Sequence, residues 1–172
     1  MMRMPDAQAK VYIAQGERAV GHRPDHVITS ILGSCVAACM WDQDRGIGGM
    51  NHILLPSSTS SALGAGAFAM ETLINDLLKA GVPKNALQAK VFGGAAIVDG
   101  LSDIGARNAA FVLEYLETEG IRLVAQSTGG RAARQVRFWP ATGQVKQRLV
   151  RSSEVEDVPA TQKSAGNDIE LL

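Results

Sequence analysis

The chain has 172 residues, room for one domain with a real core. Its 17 Lys and Arg balance 17 Asp and Glu, which excludes the strong basic field that draws proteins onto nucleic acid. No apolar run reaches the roughly 18–20 residues that a membrane-crossing helix needs, and the opening MMRMPDAQAK has no leader-like apolar stretch. The expectation is a cytoplasmic protein with no nucleic-acid partner and no membrane insertion.

Short runs at 11–15, 27–32, 36–42 and 48–55 mix β-branched and apolar residues between glycine or polar turns, which predicts strands. Pro56 and the serines that follow, to Ser61, predict a flexible rim loop. Phe68, Leu73, Leu77 and their neighbours then repeat at helical spacing, which predicts a helix over 65–80 that Gly81 and Pro83 terminate. A strand at 89–92 follows. Ser102 or Asp103 caps a second helix that runs to Glu119, and Gly120 ends it. Strands at 122–126, 135–139 and 144–150 complete residues 1–150 as a single domain. Residues 151–172 are polar and aperiodic, which predicts a disordered tail with a frayed end. Strands first, then strands alternating with helices, predict an α+β fold or layered α/β sandwich.

The chemistry concentrates at 26–56, HVITSILGSCVAACMWDQDRGIGGMNHILLP. Cys35 and Cys39, the only cysteines, would lie about 13 Å apart on one strand at about 3.3 Å per residue, too far for a disulfide. A hairpin centred on Gln43 and Asp44 sets Cys35 opposite His52 and Cys39 opposite Gly48. Opposed residues have Cβ atoms about 4.5–5.5 Å apart, the separation at which an imidazole hydrogen-bonds a thiol, and the thiolate–imidazolium pair so formed is the nucleophile of cysteine hydrolases. Cys35 follows the turn Gly33-Ser34, where unpaired backbone N–H groups are available to an oxyanion. Gly46, Gly48 and Gly49 either admit a bulky substrate or merely permit twist. Cys39 is assigned to packing. A zinc site on Cys35, Cys39 and His52 lacks a fourth ligand of suitable spacing.

The sequence also resembles the CheD family of chemoreceptor glutamine deamidases. The resemblance rests on TSILGSCVAAC (29–39), GGMNHILLP (48–56), VFGGA (91–95), IGARN (104–108) and a Gly-Gly pair followed by RQVRF (129–138). Ala106, Gln126-Ser127-Thr128 and Ala133 depart from the usual family residues. The family is similar to cytotoxic necrotizing factor-like cysteine hydrolases. The resemblance therefore implies a layered sandwich with a mixed, largely antiparallel sheet and two main helices. It also implies Cys35 as nucleophile, His52 as general base and then acid, and Thr29 orienting His52 through its hydroxyl or its carbonyl. The implied substrate is a glutamine side chain on a chemoreceptor's cytoplasmic helices, with glutamate methyl esters as second substrates. No cofactor is implied. A CheC-like phosphatase is an implied partner, and an adaptor role in the signalling array is the alternative to catalysis.

Overall fold

The computed structural model describes residues 9–56, 59–97, 103–150 and 169–171. Its plan follows from strand β4 (Val36–Asp42), whose seven residues VAACMWD are all buried. Side chains alternate along a strand. Val36, Ala38 and Met40 thus enter one apolar core, and Ala37, Cys39 and Trp41 enter another. A strand apolar on both faces must be covered on both, so three layers form.

The remaining strands are β1 (Lys10–Tyr12), β2 (Arg18–Gly21), β3 (Val27–Leu32), β5 (Ile47–Asn51), β6 (Gln88–Gly93), β7 (Arg122–Thr128), β8 (Ala133–Trp139), β9 (Gln144–Val150) and β10 (Ile169–Leu171). They make two five-stranded sheets, in the orders β2-β5-β4-β6-β7 and β1-β3-β8-β9-β10. Among the described residues only the pairs β1–β3 and β6–β7 run parallel. Helices α1 (Thr59–Lys79) and α2 (Asp103–Thr118) cover the first sheet with Met70, Leu73 and Leu77 from one and Val112 and Leu116 from the other. The second sheet covers its opposite face with Ile28, Leu32, Val136, Phe138 and Val145. The layered sandwich with two helices is thus as expected, with its strands divided between two sheets.

Four details depart from the sequence reading. First, α1 starts at Thr59 and not at 65, so the serine run continues into helix. Gly64 and Gly66 obscured this start, because glycine weakens helix signals. Gly66 is where Phe111 and Leu55 pack closest, and a Cβ there would lie 2.5 Å from the Phe111 ring. Second, β2 is too short and glycine-ended to have announced itself. Third, residues 151–168 of the expected tail lie outside the described residues, as do Ser57, Ser58 and Ser102, but Ile169–Leu171 do not fray. They add an antiparallel edge strand to β9, whose backbone otherwise has only one neighbour.

The fourth is the hairpin register. Cys39 pairs with Met50 and Trp41 with Gly48, two residues on from the expected partners. Asp42 causes the shift. Its carboxylate accepts the Asp44 N–H at 3.0 Å, and its carbonyl accepts the Gly46 N–H at 2.9 Å. With Gly46 at φ +67°, these bonds close a four-residue turn over 43–46. A slip of one residue would turn every side chain to the other face, whereas a slip of two keeps the faces. Gly48 and Gly49 are sites of internal close approach, not of substrate access: Cβ atoms there would lie 2.7 Å from the Pro140 carbonyl and 2.8 Å from the Ala19 carbonyl.

Gly93 and Gly94 end β6 at φ +114° and +69°. A Cβ on Gly93 would lie 2.2 Å from the Cys35 carbonyl oxygen. Gly93→Ala combines this clash with left-handed backbone strain and should cost about 2 kcal/mol or more, read as a lower midpoint in urea unfolding. Gly16→Ala, where nothing lies within 4 Å of the added Cβ at φ +86°, should cost less, because only the backbone strain remains.

Candidate active site

Val36 and Ile53 exchange both backbone hydrogen bonds, at 2.9 and 2.7 Å, in an isolated antiparallel bridge. Both side chains enter the helix-side core. The residues flanking that pair, Cys35 and His52, therefore face the other way, toward the second sheet. Cys35 packs against the inter-sheet core, and His52 reaches Ser30 on β3. The register puts them in diagonal positions, where Cβ atoms sit somewhat under about 7–8 Å apart and long side chains still meet. The expected direct opposition of Cys35 and His52 is thus replaced by a diagonal relation on the same face.

The backbone of His52 is held by the β1–β2 turn. Its carbonyl accepts the Gly16 N–H at 2.9 Å, and its own N–H donates to the Glu17 carbonyl at 3.1 Å. The residue is 6% exposed. Nδ1 lies 2.8 Å from Ser30 Oγ, and that hydroxyl donates to the Ile13 carbonyl at 2.7 Å. A hydroxyl has one proton to give. Because Ser30 gives it to Ile13, Ser30 accepts from Nδ1–H, and the imidazole lone pair is left on Nε2.

Thr29 sits elsewhere. It neighbours Ser30 on β3, so its side chain leaves by the opposite face of the sheet, and its buried hydroxyl has no hydrogen-bond partner among the described residues. The Thr29 carbonyl accepts the Ile13 N–H at 2.9 Å, and Ile13 in turn holds Ser30. The hydroxyl that meets His52 belongs to Ser30, a residue the sequence reading passed over. The available signal was its place between Ile28 and Leu32, a polar side chain on a buried row.

Burial sets the charge state of the pair. It pushes the half-buried Cys35 thiol up to about 11 and lowers the His52 pKa below its ordinary value, the latter partly offset by the Ile13 carbonyl and Glu17. Both shifts favour neutral forms. Burial therefore works against charge on either side chain, whereas the sequence reading expects a thiolate–imidazolium pair. Cys39 is fully buried, and burial raises its thiol further still.

The Gly33-Ser34 turn is fixed from the β6 end. Gly94 N–H donates to the Cys35 carbonyl at 2.8 Å, and Ala95 N–H donates to the Gly33 carbonyl at 3.0 Å. Val36 N–H is taken by Ile53, while the N–H groups of Ser34 and Cys35 have no acceptor among the described residues. From α2, Arg107 donates to the carbonyls of Leu55 and Pro56 at 3.2 and 2.6 Å. The neighbouring Asn108 bonds both Ser34 and Leu55. The VFGGA and IGARN segments thus brace the two ends of the site. Beside His52 a cleft of about 240 Å³ opens, lined also by Gly16, Glu17, Leu54, Phe68 and Thr72. Among the described residues no three His, Cys, Asp or Glu side chains gather as a metal-holding group, so the donor set for zinc is not assembled.

The two hydroxyls separate cleanly. Ser30→Ala should lower kcat about tenfold, the worth of one hydrogen bond of about 1–1.5 kcal/mol in the transition state, whereas Thr29→Val should leave kcat unchanged because its hydroxyl faces away from His52. Iodoacetamide should label Cys35 well before Cys39. The Cys35 rate should climb steadily between about pH 7 and 10, without the low-pH plateau of a stabilised thiolate, as followed by peptide mass spectrometry.

A family model described as CheD chemotactic sensory transduction matches residues 54–149. The chain is 54% identical over 151 residues to a Caulobacter vibrioides (strain NA1000 / CB15N) protein named probable chemoreceptor glutamine deamidase CheD, covering 85% of this chain and 81% of that one. It is 53% identical over 156 residues to a protein of the same name from Caulobacter sp. (strain K31), with coverages of 88% and 81%. A crystal structure of a Neisseria meningitidis DUF152 protein aligns with a TM-score of 0.47 at 13% identity, over 70% of this chain and 64% of that one. The family match and these levels of identity and coverage together establish that the chain belongs to the CheD family.

Proposed function

We propose that this protein is a cysteine amidohydrolase that converts glutamine side chains on the cytoplasmic helices of chemoreceptors to glutamate and ammonia. The observation that carries the mechanism is the chain from the Ile13 carbonyl to Ser30 Oγ to His52 Nδ1–H, which leaves Nε2 basic on the face shared with Cys35. The relatives, named as probable chemoreceptor glutamine deamidases, supply the substrate class. Because that substrate lies on a receptor's cytoplasmic part, the reading assigns the work to the cytoplasm. No described helix is long and apolar enough to cross a membrane.

In this reading Cys35 Sγ attacks the amide carbon while His52 Nε2 takes the thiol proton. Negative charge forms on the carbonyl oxygen, which the unpaired N–H groups of Ser34 and Cys35 receive. His52 then gives its proton to the departing nitrogen, and ammonia leaves. A water molecule, deprotonated by His52, attacks the thioester, and glutamate and the free thiol are released. Thr29 serves through its carbonyl, by fixing Ile13. A neutral thiol suits this sequence, since proton transfer and attack occur together and no buried ion pair has to be maintained at rest.

Incubation with a receptor cytoplasmic fragment should give the small mass gain of amide-to-acid conversion, with ammonia released in equal amount. Cys35→Ser should abolish both and remain folded. Cys39→Ser should keep most activity, since Cys39 only packs between the sheets. Equal loss in both variants would overturn the assignment. Because burial lowers the His52 pKa, the base stays neutral to lower pH than a free histidine. The acid limb of kcat/KM should therefore fall below about pH 6.5, with loss of activity as His52 gains a proton.

A further inference from the structure

We propose that Asn108 is a positioning residue that aims the backbone N–H of Cys35 at the developing oxyanion. The proposal deepens the hydrolase reading, and rests on it. Asn108 stands four residues before Val112 and eight before Leu116, on the buried stripe of α2. It is fully buried, where a side-chain amide must satisfy its donors and acceptor. Its Nδ2 donates to the Ser34 carbonyl at 2.8 Å, and its Oδ1 accepts the Leu55 N–H at 3.1 Å. One amide thus spans the residue before the nucleophile and the segment after the base.

The Ser34 carbonyl and the Cys35 N–H belong to the same peptide plane. In a trans peptide these two groups point in opposite directions. Holding the Ser34 oxygen toward α2 therefore turns the Cys35 N–H away from α2, and prevents the plane from flipping. The next plane is already fixed, because the Cys35 carbonyl accepts from Gly94 and the Val36 N–H donates to Ile53. With both planes around Cys35 locked, its N–H is preorganised and has no acceptor among the described residues. Gly105 allows α2 this close: a Cβ there would lie 2.4 Å from the Ala95 carbonyl oxygen.

A nucleophile that attacks a carbonyl needs the oxyanion donor, whereas one displacing iodide does not. Both reactions can be run at Cys35, with p-nitrophenyl acetate as acylating probe and iodoacetamide as alkylating probe, each rate taken per titratable Cys35 in folded protein. In Asn108→Ala, acylation should fall about 10²-fold, the usual loss for one oxyanion donor, while alkylation keeps its rate. On a receptor fragment kcat should fall in the same proportion with KM little changed. Asn108→Asp supplies a second reading. Its protonated carboxyl donates to Ser34 and its carboxylate cannot, so the ratio of acylation to alkylation should drop as pH rises through that titration. Parallel loss of both rates, or loss of neither, in Asn108→Ala would overturn the proposal. So would a pH-independent ratio in Asn108→Asp, which decides the matter if the alanine variant does not fold. A wild type that acylates normally but leaves receptor fragments unchanged would refute the deamidase reading and leave the Asn108 result standing.

Discussion

The two hydrogen bonds exchanged by Val36 and Ile53 fix which way every side chain near the site points. They commit Val36 and Ile53 to the helix-side core, and alternation then sends Cys35 and His52 toward the other sheet. The same constraint lets β3 take part, because only a side chain facing that sheet can reach Ser30. The Ser30 contact in turn decides the tautomer of His52. A core-packing decision in two apolar residues thus propagates to the proton inventory of the site.

Burial works with this arrangement. A half-buried thiol pushed up to about 11 and an imidazole with a lowered pKa are poor at holding charge separately. In the proposed mechanism they pass a proton during attack, as the charge moves onto an oxygen facing fixed N–H donors. The inter-sheet core keeps Cys39 out of this chemistry, since its side chain lies among Phe92, Phe138 and Val145 with no exposure. Chemical identity is the same at both cysteines, and position makes them different.

Much of this was legible before any coordinates. The apolar run from Val36 to Trp41 announced a strand, and the helical spacing of Phe68, Leu73 and Leu77 announced α1. Cys35 beside a Gly-Ser turn, with a histidine near the end of the partner strand, announced two side chains on one face. The register was not legible, because the Asp42 side chain and Gly46 lengthen the turn in a way that symmetry about Gln43 and Asp44 does not anticipate. Ser30 was missed because the family pattern points to Thr29, and which of two adjacent hydroxyls faces His52 depends on which face of β3 is buried. Asn108 carried a readable signal, a polar residue on an apolar helical stripe, but its partners lie on segments distant in sequence. Contacts at such range are what a one-dimensional pattern leaves out.

The account comes down to one covalent bond, formed at Cys35 Sγ. Rapid acid quenching of wild-type protein during turnover of a receptor cytoplasmic fragment, followed by peptide mapping, observes that bond directly. The account predicts an acyl adduct on the Cys35 peptide whose mass is that of the substrate less ammonia, and which decays as the glutamate product appears. Deamidated product forming with no adduct at any time in the burst, or with the adduct on Cys39, would contradict it.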